Sequence, residues 1–193
     1  MRAAAARLAA MWLAAACAHA PPRGPTPAVR GEITEAEAAE TSRRHDVARV
    51  HYLRAIELAN DPSSAAFARH EYAETLVTWG ETPEARAQLE RAAAADPGDA
   101  SVWHDLGLLR HHDGDDAAAI QALSRAAELA PRDLRPHKTL AALYWKRGDR
   151  ASAAREYRRL LELDIPDRLR AKVEWALAEL AKPGPPRNTS GSP

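Results

Sequence analysis

The sequence predicts an all-α protein built from repeated helical hairpins. The 193-residue chain is rich in Ala, Leu, Arg and Glu, and this composition favours helix. No stretch alternates β-branched or aromatic residues with polar ones at a period of two, as strands do. Equivalent residues also recur at a fixed spacing of 34 positions, which is the mark of a repeat architecture.

Several independent positions keep this spacing. Glycines, alanines and large side chains each recur three times, at Gly80, Gly114 and Gly148, at Ala85, Ala119 and Ala153, and at Leu89, Leu123 and Tyr157. Glycine suits the left-handed turn that ends a helix, and small residues let two helices approach closely. The pattern therefore predicts antiparallel helix pairs, with a glycine at each turn.

These residues resemble the tetratricopeptide repeat, a hairpin of two helices. The third repeat carries the resemblance best, with Trp103, Leu106, Gly107, Ala119, Leu123, Ala126 and Pro131. The resemblance covers residues 31–166 as about four repeats, of which the first is degenerate. It implies a right-handed superhelical solenoid of helix-turn-helix hairpins.

Both ends of the predicted solenoid carry further signals. Thr34 has capping-box spacing to Glu37 and predicts a first helix from about Glu32 to Arg43, while Thr82 is expected to cap the second helix of repeat two. A solenoid must cover its last hairpin, and residues 167–182 are predicted to form that capping helix. Its apolar stripe consists of Leu169, Val173, Leu177 and Leu180, and Trp175 is assigned to the core. Residues 183–193 are predicted to be disordered, because they are rich in Pro, Gly and Ser.

The N-terminal residues are predicted to lie outside the repeats. Arg2 and Arg7 give a short positive start that precedes an uncharged apolar run, Leu8 to Ala16. This run has the length of a signal-peptide core and is too short to span a bilayer. Residues 1–17 resemble the signal peptide and lipobox of a bacterial lipoprotein, which implies a lipid on Cys17. Secretion as a soluble exported protein and an ordinary alanine-rich N-terminus are the alternatives.

Residues 18–30 contain four prolines and are predicted to form an extended linker between the lipid and the repeats. Ala18, rather than Asp, follows Cys17. By resemblance to Gram-negative lipoproteins, this implies the outer membrane, with the domain facing the periplasm.

In the tetratricopeptide family, the first helix of each hairpin lines a concave groove, and the resemblance implies a set of partner-binding residues. They are Phe67, His70, Glu74, His104, Leu108, His111, Arg135, Lys138, Trp145 and Lys146. This groove is expected to be partly apolar, basic towards its C-terminal end and sensitive to pH through its histidines. A peptide or helix with an acidic end would fit it.

Enzymatic function and nucleic-acid binding are not predicted. The sequence contains no nucleophile elbow, phosphate-binding glycine loop or zinc-protease motif, and no cofactor is expected. The net charge of +0 argues against a nucleic-acid partner. His104 and His111 permit a metal-binding alternative, but they lie seven residues apart, whereas metal-binding helices usually place ligands three or four apart. No metal ligands are therefore assigned.

The sequence thus predicts a non-catalytic scaffold or adaptor, attached to the bacterial envelope, that binds an envelope protein or peptide in its groove. One alternative is a ligand or metal binder that uses the histidine-rich groove. Another is an accessory subunit of a pilus or secretion assembly complex.

Overall fold

The computed structural model describes residues 24–182, which form nine α-helices and no strand. The helices are α1 (Pro27–Thr41), α2 (His45–Leu58), α3 (Pro62–Thr78), α4 (Thr82–Ala95), α5 (Ala100–His112), α6 (Asp116–Leu129), α7 (Leu134–Lys146), α8 (Arg150–Leu161) and α9 (Asp167–Ala181). The first eight pack as four consecutive hairpins, and α9 packs against α8. The predicted all-α repeat solenoid is confirmed. Cys17 and residues 183–193 lie outside the described residues.

The turns inside the last three hairpins use the predicted glycines. Gly80, Gly114 and Gly148 have φ angles of 81°, 86° and 75°, a region that side chains with a Cβ rarely adopt. The helices after Gly114 and Gly148 begin at aspartates: Asp115 accepts a hydrogen bond from the Ala118 amide, and Asp149 accepts one from the Ser152 amide, each at 3.0 Å. Local sequence therefore sets where these hairpins turn.

The first helix begins earlier than predicted. Thr26 is its N-cap and accepts a hydrogen bond from the Val29 amide at 3.4 Å. Residues 27–30, assigned to the linker, are therefore helical, because proline at the first helical position loses no hydrogen bond and has a suitable φ. The capping role of Thr34 is wrong, since its hydroxyl donates to the Arg30 carbonyl at 3.1 Å.

The predicted cap of α4 is also wrong. Thr82 is already the first residue of that helix, and no side chain accepts a hydrogen bond from its first turn. Pro83 in this first turn removes one of the amides that a cap would satisfy, so the helix begins without one.

The core lies between the helices of each hairpin and between neighbouring hairpins. Its largest fully buried side chains include Tyr72, Leu76, Leu89, Leu106, Leu123, Leu140 and Leu160. Gly107 lets α5 and α6 approach closely, because a Cβ at this position would lie 2.6 Å from Leu123 Cγ. The small residue at this position therefore sets the spacing within this hairpin, as the sequence predicts.

Helix α9 covers the end of the solenoid. Val173 and Ala176 are buried, and Val173 belongs to the same apolar cluster as Leu160 and Ile165. Arg150, at the start of α8, donates hydrogen bonds to three carbonyls at the C-terminal end of α9, at 2.6–3.0 Å. These bonds satisfy acceptors that a helix end leaves free and tie α9 to the last hairpin.

Candidate functional site

The predicted binding residues lie on the first helices of successive hairpins, which are neighbours in space. We call the surface formed by α3, α5, α7 and α9 the groove face. His70 Nε2 on α3 lies 2.7 Å from Asp105 Oδ2 on α5, and the charge of Asp105 also acts on Arg135 of α7. The structure brings most of the predicted residues onto this face, in three separate places.

The first place is a half-buried polar link between α3 and α5. Asp105 contacts two imidazoles, His70 Nε2 at 2.7 Å and His104 Nδ1 at 2.9 Å. Glu74 Oε1 lies 3.6 Å from His70 Nε2. We call His70, His104 and Asp105 the His–Asp bridge. His104 is only 7% exposed, so it stabilises the bridge rather than offering a free side chain to a partner.

The charges of the bridge shift the pKa values of its members. Burial acts most strongly on the Asp105 carboxyl and would raise its pKa, but the hydrogen bonds and charges of His104 and His70 outweigh burial and hold this pKa well below its usual range. Burial likewise lowers the pKa of His70, yet Asp105 and the nearby charges of Glu74 and Asp99 raise it above the usual value. The native fold therefore favours the charged form of both groups.

These shifts predict a dependence of stability on pH. The stability contributed by His70 is complete below the pKa of about 6.5 that this residue has in the unfolded chain. It is lost as pH rises through the higher pKa of His70 in the folded protein. The stability contributed by Asp105 is present above about pH 3.9 and is lost as pH falls through the lower pKa of its folded form.

We expect urea unfolding to show a smaller loss of stability between pH 6 and pH 8.5 in His70→Gln than in the wild type. His112→Gln, at a side chain that is 75% exposed, is the control and should keep the wild-type slope. An equal slope in both variants would contradict the assignment.

Arg135 lies beside this bridge and is held by its own helix cap. Its guanidinium donates to the Asp133 carboxylate at 2.7–3.2 Å. The Asp133 hydrogen bond is the main cause that raises the pKa of Arg135, and the charges of Asp105 and Glu74 act in the same direction. The cation is therefore already partnered, although half of its side chain is exposed.

The second place is an apolar hollow between α3, α4 and α5. It has a volume of about 260 Å³, and its lining includes Ala73, Val77, Leu89, Leu108 and Leu109, with the acids Glu74 and Asp105. Val77 and Leu108 are 44% and 39% exposed. Large apolar side chains that stay open to solvent beside a hollow are typical of a binding surface.

His111 and Lys146 lie beyond this hollow and share one carboxylate. Asp116 contacts His111 Nδ1 at 2.6 Å and Lys146 Nζ at 3.3 Å. The His111 hydrogen bond is the main cause that lowers the pKa of Asp116. His104 and His111 thus have different carboxylate partners.

Phe67 lies apart from the other predicted residues. It packs against the core and lies beneath the Arg30 guanidinium, with the ring centroid 6.0 Å away. Its neighbours in a shallow pocket include Gly24, Pro25 and Asp99. Phe67 therefore stabilises the start of the repeats, and we do not retain it among the candidate binding residues.

The third place is a cleft between α7, α8 and α9. It has a volume of about 490 Å³ and is lined by Lys138, Trp145, Tyr157, Leu160, Leu169, Lys172, Val173, Trp175 and Ala176. Trp175 is 62% exposed and is stacked on Trp145, with ring centroids 6.2 Å apart and an interplanar angle of 11°. The assignment of Trp175 to the core is therefore wrong. We call this feature the tryptophan cleft.

One group of side chains has the donor types of a metal site. Single ligand atoms of His70, Glu74 and Asp105 lie within 4.8 Å of one another, and His70 and Glu74 have the i, i+4 spacing of ligands on one helix face. The 2.7 Å contact of His70 with Asp105 is a hydrogen bond that uses both ligand atoms. A metal ion would have to replace this bond, so we assign the group to the His–Asp bridge.

Sequence reasoning missed Asp105, Lys172 and Trp175 as groove-face residues, and it missed Asp116, which contacts His111 and Lys146 of this face from the start of α6. The family pattern points only certain positions of each first helix towards the groove, and Asp105 is not among them. Trp175 could have been found, because it lies two residues after Val173 and so about 200° around the helix from the buried stripe.

The helical hairpins and the groove face define a helical repeat scaffold, a class of protein that presents an extended surface to other proteins. In the described part of the chain, no helix combines the length and the hydrophobicity that crossing a bilayer requires.

A sequence model for the tetratricopeptide repeat matches residues 100–133, the third repeat. The human PEX5-related protein is 36% identical over 74 residues, which are 38% of this chain and 12% of that protein. The TPR repeat-containing protein PA4299 of Pseudomonas aeruginosa is 38% identical over 93 residues, 46% of this chain and 36% of that protein. This chain thus spans only a minor part of each relative.

Solved structures of other proteins have a similar fold. The crystal structure of YrrB, described as a TPR protein with an unusual peptide-binding site, matches with a TM-score of 0.61 at 21% identity, over 77% of this chain and 74% of that one. The chain therefore carries a tetratricopeptide repeat at residues 100–133 and has the fold of tetratricopeptide repeat proteins. Such proteins are typically non-catalytic scaffolds that bind other proteins or peptides.

Proposed function

We propose that this protein is an adaptor that holds a protein or peptide partner on its groove face, at the bacterial envelope to which a lipid on Cys17 attaches it. The observation that carries the adaptor role is the apolar hollow, where Val77 and Leu108 remain exposed beside the carboxylates of Glu74 and Asp105. Apolar anchors beside a few polar groups are the usual composition of a peptide-binding surface. The description of YrrB as a peptide-binding TPR protein supports this role.

Affinity capture with matched variants tests the adaptor role. The bait is the full chain, used on detergent-solubilised membranes with quantitative mass spectrometry. We expect a specific partner to be captured by the wild type and lost by the double variant Val77→Asp/Leu108→Asp. The control is Val50→Asp/Leu53→Asp, which changes two apolar residues of α2 that are 62% and 43% exposed, outside the groove face. Circular dichroism checks that both variants fold.

The variants separate two explanations. Loss of the partner in both double variants would mean that any new charge on the surface disturbs binding. Equal capture by the groove variant and the wild type would place the interface elsewhere and overturn the adaptor role of the groove face.

The lipid anchor has a separate test. In the source bacterium, we expect the chain to incorporate an alkyne-labelled fatty acid and to fractionate with membranes, and we expect Cys17→Ser to abolish both properties. The signal-like run before Cys17 motivates this expectation. Labelling that persists in Cys17→Ser, or no labelling of the wild type, would overturn the anchor and leave the adaptor role untouched.

A further inference from the structure

Three aromatic rings line the tryptophan cleft. Trp145 stacks on Trp175 and meets Tyr157 edge-on, with ring centroids 6.1 Å apart and an interplanar angle of 85°. The outer side of a terminal capping helix is normally polar, because it faces water. Trp175 is instead 62% exposed, on the same helix whose opposite side buries Val173. Helix α9 therefore presents an aromatic surface as well as closing the solenoid.

The space beside these rings is large enough for a side chain of a partner. The cleft has a volume of about 490 Å³, within the roughly 300–1,000 Å³ typical of small-ligand pockets. Leu160, Leu169, Val173 and Ala176 complete its lining. Aliphatic residues next to stacked rings favour an apolar group, and an aromatic side chain could extend the stack.

Two lysines set the charge of the cleft. Lys138 and Lys172 line it, and among the described lining residues none is acidic. Neither lysine forms an ion pair with any residue between 24 and 182, whereas Lys146 pairs with Asp116 and Lys182 pairs with Glu179. The cleft therefore has unpartnered positive charge beside an apolar space, and its charge complement is a carboxylate.

The side chains of residues 183–193 do not supply that complement. Residues 183–193 follow α9 and contain one arginine and no acidic side chain. We propose that the tryptophan cleft binds an acidic segment of a partner protein, in which an aromatic or leucine side chain lies next to one or two carboxylates. The side chain fills the space beside Trp145 and Trp175, and the carboxylates pair with Lys138 and Lys172.

This inference rests on the proposed adaptor role and adds a second contact point to it. The apolar hollow lies near acidic groups on α3 and α5, whereas the cleft is basic and lies at α7–α9. A segment bound along the groove face would therefore place its acidic end at the C-terminal end of the solenoid. The two contact points can be tested separately, because no residue lines both.

A random 12-residue peptide library displayed on phage, selected against the purified domain, tests the proposal. We expect enriched peptides to contain an aromatic residue or leucine within two positions of Asp or Glu. Synthetic copies should bind at least tenfold more weakly to Trp175→Ser and to Lys138→Glu/Lys172→Glu, and binding to the wild type should weaken as salt is raised. The control is Lys182→Glu, a charge reversal on α9 outside the cleft, which should bind as the wild type does.

Several results would overturn the proposal. They are selection of no peptide, selection of peptides without an acidic residue, and equal binding by the wild type and the cleft variants. Sedimentation of the purified protein tests whether a second copy of the chain occupies the cleft instead. A dimer that becomes monomeric in Trp175→Ser would assign the cleft to that second copy. If these results appear while Val77→Asp/Leu108→Asp still loses its partner, the adaptor role stands and only the cleft assignment fails.

Discussion

Deletion of residues 167–182 is expected to leave a chain that associates and unfolds at a lower temperature. Helix α9 covers Leu160, which is fully buried, and Ile165, which is 5% exposed. Burying one such side chain contributes about 1.5–3 kcal/mol, a large share of the 5–15 kcal/mol, roughly, that keeps a domain folded. Sedimentation and thermal unfolding would measure the effect. A truncated chain that stays monomeric with an unchanged Tm would show that α9 is not a cap.

Two point variants on α9 test the same role without removing the helix. Ala176 is 4% exposed, whereas Ala178 lies on the exposed side. Ala176→Asp buries a charge against the last hairpin, and we expect a loss of about 3–5 kcal/mol in the free energy of unfolding. Ala178→Asp makes the same change in the same helix, where water solvates the carboxylate, and should cost less than about 1 kcal/mol. Equal losses would mean that α9 is not packed as described.

Gly107→Ala is expected to destabilise the domain, against the intrinsic preference of alanine for helix. The new Cβ would lie 2.6 Å from Leu123 Cγ and 3.2 Å from the Ala119 carbonyl oxygen. Leu123 is fully buried, and protein interiors are packed too closely for such a side chain to move freely. Forcing extra volume into such a contact costs about 1–3 kcal/mol, more than the approximately 1 kcal/mol that alanine gains over glycine in a helix. Urea unfolding gives the sign and the size of the change.

Gly31→Ala is the matched control for this experiment. Gly31 also lies within a helix, α1, but no atom lies within 4 Å of a Cβ built there. Helix propensity acts alone at this site, and we expect a gain of about 0.5–1 kcal/mol. Opposite signs for the two substitutions would show that Gly107 sets the approach of α5 and α6. Stabilisation by both would contradict that role.

Local signals predicted the hairpins well and the first helix poorly. Gly80, Gly114 and Gly148 turn the chain where expected, because their left-handed φ values depend on the missing Cβ and on little else. The start of α1 was missed because a proline-rich segment favours extended chain on average, whereas Pro27 happens to follow the N-cap Thr26. One residue of context reverses the preference of a proline.

The candidate site was predicted only in part. The groove face contains the expected His70, Glu74 and Leu108, because the repeat fixes which helix is first in each hairpin. It does not fix which of these side chains are free. His70 is used by Asp105, and only the packed structure shows this, because a hydrogen bond between side chains of two helices depends on their separation.

The sequence by itself determined the class of this protein. The period of 34 residues, the glycine turns and the recurring small and large residues define stacked helical hairpins, since each signal acts within one hairpin. The tertiary structure decided the surface. The His–Asp bridge joins α3 to α5, and the tryptophan cleft joins α7 to α9. Both depend on distances between hairpins, which arise from the sum of many packing contacts and which no local pattern in the chain encodes.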